Sequence, residues 1–420
     1  MNGRELYPDA EQRRRIMDFI MAAGQTLLEN GAEVFRVEQT MEIMARSFHL
    51  REFHVYVLTN GIFASAGTAE ISEVRNVPTR TTHLGRVAAV NQLSRQIAEG
   101  SVTTIDEAES RLVQAQSIPF PKGRVQLLAG LSGAFCFALI FGGTLQAALV
   151  AAVAGCAANA YLLFCGRHPI GGGFRTISTA SLITILCILG CHLLHTEASH
   201  AIIGTLMILT PGIAFTMGIR DFVQGDYLSG TIRMIDALLI AASIAIGTGL
   251  VLGAYAAWTG GGGRMTELLL TSEQIGQLVA QFFIAGAGTL SFAVLFASPK
   301  RTLPYCGLVG AMGWFIYELA VLFGLESFAA SLLAVIPLTL LARIFAIVLK
   351  TPVTIFLLAG IFPLVPGAGI YYTAYYFIQG NNALALANGI STFKIAVALA
   401  IGIALVLGLP LPRFKTRPKK

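Results

Sequence analysis

From Val125 to Pro410 the chain is a succession of apolar stretches, whereas residues 1–120 mix apolar and polar positions at helical and strand spacings. A helix needs about 20 apolar residues to cross the hydrocarbon core. That ruler predicts spans near 125–142, 144–165, 176–194, 201–223, 231–258, 275–297, 304–323, 327–349, 353–378 and 384–409. The fold class expected is an α-helical polytopic membrane protein, with about ten transmembrane helices as an inverted 5+5 repeat behind a small α+β domain. The units are a cytoplasmic domain at 1–120, a first five-helix repeat at 121–260, and a second at 261–420 that ends in a basic tail.

Within the first 120 residues, the apolar spacing predicts helices over Glu11–Leu28 and Glu33–Phe48, separated at Asn30-Gly31. His54–Thr59 and Ile62–Ala66 flank Asn60-Gly61, a hairpin signal, and Ala69–Asn76 supplies a third strand. Helices follow over Leu84–Ile97 and Ile105–Gln116, the latter with Thr104 or Asp106 at its cap. No Gly-rich phosphate loop, metal set or nucleophile elbow is visible. An ATP-driven pump and an enzyme are therefore disfavoured, no cofactor is called for, and an ion gradient becomes the expected energy source.

A shift of 155 residues lays LTPGIAFTMGIRDFVQGDYLSG (209–230) over LVPGAGIYYTAYYFIQGNNALA (364–385). Pro211 meets Pro366, Gly212 meets Gly367, Phe222 meets Phe377, Gln224 meets Gln379 and Gly225 meets Gly380. The register continues without a gap through Gly247 with Gly402 and Gly253 with Gly408. Chance Gly matches are frequent in apolar sequence, so the weight rests on the P-G and Q-G pairs. Five spans per half place the second copy upside down in the bilayer, a plan common in secondary transporters and open to channels as well.

Composition agrees with a lipid solvent: 55% of residues are hydrophobic and 12% charged, against about a quarter charged in soluble proteins. The net charge of +6 speaks of topology rather than of nucleic acid. With the N-terminus inside, fifteen basic residues fall on inner loops, inner helix ends and the tail, and only Arg264 falls outside. That positive-inside bias requires an even number of spans and puts both termini in the cytoplasm. Met1–Asp18 carries four arginines and no signal-peptide core. The six cysteines lie in or beside apolar segments and read as packing residues.

Both P-G pairs fall inside a span, Pro211-Gly212 in the fourth and Pro366-Gly367 in the ninth. A proline break in lipid persists where the freed carbonyls face protein or water. It also presents a half-helix N-terminus suited to a carboxylate; a packing kink is the plain alternative. Arg220, Asp221, Asp226, Arg233 and Asp236 put five charges within 17 residues at the inner face. They form either an interfacial salt-bridge cluster or a gate, with Asp236 the deepest carboxylate. Glu318 and Lys394 lie deep in their spans, where charge is costly unless paired or protonated. Tyr371, Tyr372, Tyr375 and Tyr376 follow the second break as an aromatic belt or a substrate lining. His192, His195 and His200 with Glu197 read as an outer loop rather than a metal site, and Gly260–Gly263 as a flexible linker.

Three strings, LLENGAEVFRVEQTM (27–41), VRNVPTRTTHLGRVAAVNQLSRQIAEG (74–100) and PGIAFTMGIRDFVQGDYLSGTIRMIDALLIA (211–241), closely resemble the threonine/serine exporter family. The resemblance covers nearly the whole chain. It implies an inner-membrane carrier that exports small polar metabolites, threonine and serine above all, driven by the membrane gradient and handling protons as well as substrate. Family-like positions are Glu29, Asn30, Gly31, Glu33, Arg36, Glu38 and Asn91 in the soluble domain. In the membrane part they are Pro211, Gly212, Arg220, Asp221, Gly225, Asp226, Arg233, Pro366 and Gly367. The second copy departs from the first at Gly380-Asn381, where Gly225-Asp226 carries an acid. Some two-partner members are tied to dicarboxylate export, for which Arg220, Arg233 and Lys394 would be the cations; a passive channel or a membrane-anchored enzyme is a third reading. A homo-oligomer is compatible with all three.

Overall fold

The computed structural model describes residues 9–67, 71–77, 81–168, 170–259 and 274–409. The N-terminal domain opens with α1 (Ala10–Glu29), capped by Asp9 accepting from the Gln12 amide at 2.7 Å, and α2 (Val34–Ser47). A three-stranded antiparallel sheet follows, β1 (His54–Leu58), β2 (Gly61–Ala66) and β3 (Ile71–Asn76), in that order. Then come α3 (Leu84–Ala98) and α4 (Ile105–Gln116), whose cap is Thr104. The hairpin turn sits one residue earlier than Asn60-Gly61 suggests. Leu58 pairs with Gly61, so Thr59 and Asn60 make the loop and Gly61 starts β2. Burial chooses this register, because it pairs Val57 with Ile62, both facing the core of Met17, Ile20, Met41 and Met44.

The membrane part comprises α5 (Gly123–Ile140), α6 (Leu145–Cys165), α7 (Gly172–Leu193), α8 (Ala198–Leu206), α9 (Gly212–Val223) and α10 (Tyr227–Thr259). The second half comprises α11 (Gln274–Leu295), α12 (Leu303–Leu322), α13 (Ser327–Val348), α14 (Val353–Gly360), α15 (Gly367–Ile378) and α16 (Asn382–Gly408). Among the described residues, eight helices are long and apolar enough to cross a membrane, and α14 with α15, bent by 52°, makes a ninth if taken as one span. The tenth expected span is the pair α8 and α9, each too short to cross alone, so helix length does not establish the count of ten. Arg264, the Gly260–Gly263 run and the tail from residue 410 lie outside the described residues.

The offset of 155 residues reappears in the elements themselves. Helix starts at 172, 198, 212 and 227 recur at 327, 353, 367 and 382. Left-handed backbone recurs likewise, at Gly142 and Ala297, His195 and Lys350, and Gly225 and Gly380. Contacts between the halves are reciprocal. A Cβ on Gly133 would meet Phe292 Cε2 at 3.2 Å, and one on Gly288, its counterpart, would meet Phe137 Cε2, the counterpart of Phe292, also at 3.2 Å. Such exchange of i with j is the mark of a twofold relation, which here runs between α5 and α11. The fourth and fifth positions are swapped across it: α9 packs on α16 and α10 on α15.

Candidate functional site

Two places collect the polar groups that an apolar bundle must accommodate. The first is where the two breaks cross. Proline has no amide hydrogen to continue the ladder, so α8 stops at Leu206 and α9 restarts behind Pro211, while α15 restarts behind Pro366 after a 3-10 turn at Phe362–Leu364. Only glycine fits at the crossing. A Cβ on Gly212 would overlap Val365 Cγ1, and one on Gly367 would lie 2.7 Å from Met207 Sδ and 2.9 Å from Thr210 Cγ2. Thr210 and Val365 are themselves counterparts, so this contact is reciprocal too.

Neither α9 nor α15 has a side-chain cap, leaving the first-turn amides of both half-helices without side-chain acceptors. One turn further on, Thr216 (0% exposed) and Tyr371 (4% exposed) occupy equivalent positions, and neither hydroxyl has a hydrogen-bond partner among the described residues. Tyr371 also stacks on Tyr375 at 5.9 Å and tilts against Tyr372 at 5.3 Å, which makes the tyrosines one aromatic cluster rather than separate interfacial anchors. Thr216 did not stand out in the sequence; its match to Tyr371 at the repeat offset was the available signal.

The second place is where the N-terminal domain meets both halves. Arg220, 1% exposed at the end of α9, donates Nη1–H to Glu33 Oε1 at 2.9 Å and lies 3.5 Å from Asp221 Oδ1. Thr354, at the start of α14, donates its hydroxyl to the same Glu33 oxygen at 3.3 Å. Arg233 Nε closes on Asp221 Oδ2 at 2.9 Å, completing a cluster of two carboxylates and two guanidiniums. Burial alone would push the Glu33 carboxyl up, but the Arg220 charge and hydrogen bond outweigh it, helped by Arg36 and Arg233, and hold it below the usual carboxylate range.

Local structure aims Glu33 at this cluster. It is the N-cap of α2, a position where Ser, Thr, Asp or Asn normally turns back on the helix, yet its side chain makes no capping bond and points to Arg220 instead. The preceding loop turns on Gly31 (φ 90°) and is pinned by the Thr81 and His83 amides donating to the Glu29 and Asn30 carbonyls. Glu38 accepts from the Val57 amide at 2.9 Å, joining α2 to β1, with burial pushing its carboxyl up. Arg36 stacks over Phe35, whose ring also lies 5.8 Å from the Arg220 guanidinium. Asn91 is half-buried on α3. A second attachment joins the Leu84 and Gly85 amides to the Phe296 and Ala297 carbonyls, both at 3.0 Å, and Leu84 packs with Phe292 and Phe356.

The remaining sequence candidates scatter. Asp226 is a helix cap, accepting from the Ser229 amide at 3.1 Å, and its counterpart Asn381 does the same for Leu384 at 3.2 Å. An amide therefore serves where the first copy has an acid, which explains the departure at Gly380-Asn381. Asp236 is half-buried on α10 and Glu318 half-buried on α12. Lys394 is exposed on the outside of α16 rather than facing the bundle interior. His192, His195, His200 and Glu197 make no group that could hold a metal among the described residues. The six cysteines are free.

A duplicated helical bundle with crossed helix breaks and an N-terminal domain bound across its two halves defines a polytopic membrane protein of transporter build. A family model described as "Putative threonine/serine exporter" matches residues 18–255, and a second, "Threonine/Serine exporter, ThrE", matches 281–408. The chain belongs to the threonine/serine exporter family. It is similar to the "Probable threonine/serine exporter" of Mycobacterium tuberculosis, 24% identical over 90% of this chain and 75% of that one. It is equally similar to the "Threonine/serine exporter" of Corynebacterium glutamicum, 24% identical over 96% of this chain and 83% of the relative. No solved structure matches the chain.

Proposed function

We propose that the protein is a secondary transporter exporting small polar amino acids, threonine and serine, across the inner membrane, driven by the proton gradient. The two six-helix halves, five spans each, act as inverted repeats that exchange conformations around the crossed breaks, and the chain has ten spans with both termini in the cytoplasm. The observation that carries this reading is the reciprocal pair of uncapped half-helices at Pro211 and Pro366, each with an orphaned buried hydroxyl, Thr216 or Tyr371. Uncapped amides suit a carboxylate, and the hydroxyls suit the ammonium or the side-chain hydroxyl of the substrate. Asp221, Asp236 and Glu318 are the carboxylates available for proton coupling.

A dicarboxylate would ask for a second free cation. Arg233 pairs with Asp221 at 2.9 Å and Lys394 faces away from the bundle, so no second cation beside Arg220 is open to the other carboxylate, and amino acids are the better fit. Efflux from proteoliposomes preloaded with labelled threonine, serine or succinate, with and without an imposed proton gradient, tests the reading. Saturable, gradient-dependent release of threonine or serine is expected. Release of succinate alone would move the substrate class, and unsaturable release would make the protein a channel.

A further inference from the structure

We propose that Arg220 and Thr354 form a carboxylate-binding site at the inner mouth, and that Glu33 of the soluble domain occupies it as a tethered stand-in which the substrate's α-carboxylate displaces. The inference rests on the export reading for the identity of that carboxylate, but not for the existence of the site.

The site is built by the membrane part alone. Arg220 comes from the broken span of the first half and Thr354 from that of the second, and Glu33 Oε1 bridges them, 187 residues from Arg220 and 321 from Thr354 in sequence. Without Glu33, the fully buried Arg220 keeps only Asp221 Oδ1 at 3.5 Å, on a carboxylate it shares with the part-exposed Arg233. A poorly compensated buried guanidinium is costly, so a carboxylate taking the place of Glu33 stabilises the mouth.

Glu33 fills the site incompletely. Only one of its oxygens is used; Oε2 and Arg220 Nε are both buried without a hydrogen-bond partner. An arginine engaged through both edges of its fork binds a carboxylate more strongly than one engaged through a single bond. The Glu33 backbone is the N-cap of α2, which tethers its carboxylate to that helix. A free α-carboxylate has no such tether and can use the Nε edge as well. Two buried atoms left unsatisfied by the resident group therefore mark where a better-fitting one gains.

Displacement has a mechanical consequence. Glu33 reaches both halves at once, so its withdrawal removes a bridge between α9 and α14, while the soluble domain stays attached through Leu84 and Gly85 to the turn after α11. The loading of an amino acid thereby unlocks the inner ends of the two broken spans.

The apparent affinity of a site equals its intrinsic affinity scaled by the fraction of time it is open. If Glu33 occupies the site for about nine-tenths of the time, removing its charge raises apparent affinity about tenfold. Two measurements on the full chain test this. In the first, acetate is added to wild type, Glu33→Ala and Glu33→Gln in nanodiscs, with chloride at equal ionic strength as control, and the thermal midpoint is read. Glu33→Ala is expected to melt lower than wild type and to be restored by acetate over chloride, while wild type is unmoved. Equal effects of acetate and chloride on Glu33→Ala overturn the site. In the second, the cytoplasmic threonine concentration giving half-maximal export is expected to fall about tenfold in Glu33→Gln, which keeps the shape of the side chain; an unchanged or raised value overturns displacement by substrate. Acetate rescue in a protein that moves no threonine would uphold the carboxylate site and overturn the export reading instead.

Discussion

Substituting Gly212 by alanine places a methyl group where the two breaks cross. Its Cβ would overlap Val365 Cγ1, and Val365 is β-branched and 4% exposed, so it has neither a free rotamer nor an open side to yield into. Overpacking of this kind costs about 1–3 kcal/mol. At about 1.4 kcal/mol per factor of ten, that shifts a conformational equilibrium by roughly five- to 150-fold. The mirror substitution Gly367→Ala meets Met207 Sδ at 2.7 Å and Thr210 Cγ2 at 2.9 Å. Methionine is adaptable, so this variant should lose less. Thermal midpoints in detergent and threonine efflux from proteoliposomes are the assays. Gly212→Ala is expected to fall furthest in both, Gly367→Ala less, and Gly212→Ala with Val365→Ala to recover efflux relative to Gly212→Ala alone, because the second change removes the clashing carbon. Wild-type efflux in Gly212→Ala, or a double variant no better than the single, would refute the idea that this crossing is packed and that transport moves through it.

Asp221→Asn and Asp236→Asn are expected to abolish threonine export while leaving expression intact, and wild-type rates in both would remove the acidic cluster from the mechanism. Asp226→Asn should leave the thermal midpoint unchanged, since Asn381 caps its own helix with an amide, whereas Asp226→Ala should lose about 1 kcal/mol; equal losses would show that the charge matters. Acidification tests the docking of Glu33. Its carboxyl is held below the usual range, so its stabilisation is complete above the ordinary carboxylate pKa of about 4.3 and is lost only as the pH falls through the lower folded value. Hydrogen exchange in residues 30–37, read as wild type minus Glu33→Gln from pH 7 to pH 3, follows it. The subtraction removes His83, whose imidazole burial pushes down and which loses stability once the pH falls below about 6.5. A difference that collapses already by pH 5 would contradict the ion pair.

The sequence carried the repeat because a helix break is a local chemical event: proline and glycine announce it wherever they stand, and Pro211 and Pro366 did so at the offset later seen in the elements. The secondary structure of the soluble domain was equally local, with the hairpin displaced by one residue because burial of Val57 and Ile62 outweighed the turn preference of Asn60-Gly61. The partner of Arg220 was not legible. Glu33 and Arg220 could each be singled out, but nothing short of docking two domains says that one meets the other, nor that Thr354 joins them. Lys394 illustrates a different limit. Position along a span gives depth, whereas the side of the helix on which a residue lies depends on neighbours that the pattern does not name. Asp226 was read as a site charge and is a cap, since an acid one residue before a helix looks the same in either role.

The swapped packing of α9 on α16 and of α10 on α15 also bears on how the protein is made. A nascent chain inserted from its N-terminus delivers α9 and α10 well before the helices that cover them, so the first half waits in the bilayer with Ile219 bare of Ala396 and Ala400. Thr354 arrives late as well, leaving the soluble domain finished but only partly seated. Biogenesis is therefore completed from the C-terminal end. Loss of α16 should expose the early helices to membrane quality control even though every residue of the first half is intact.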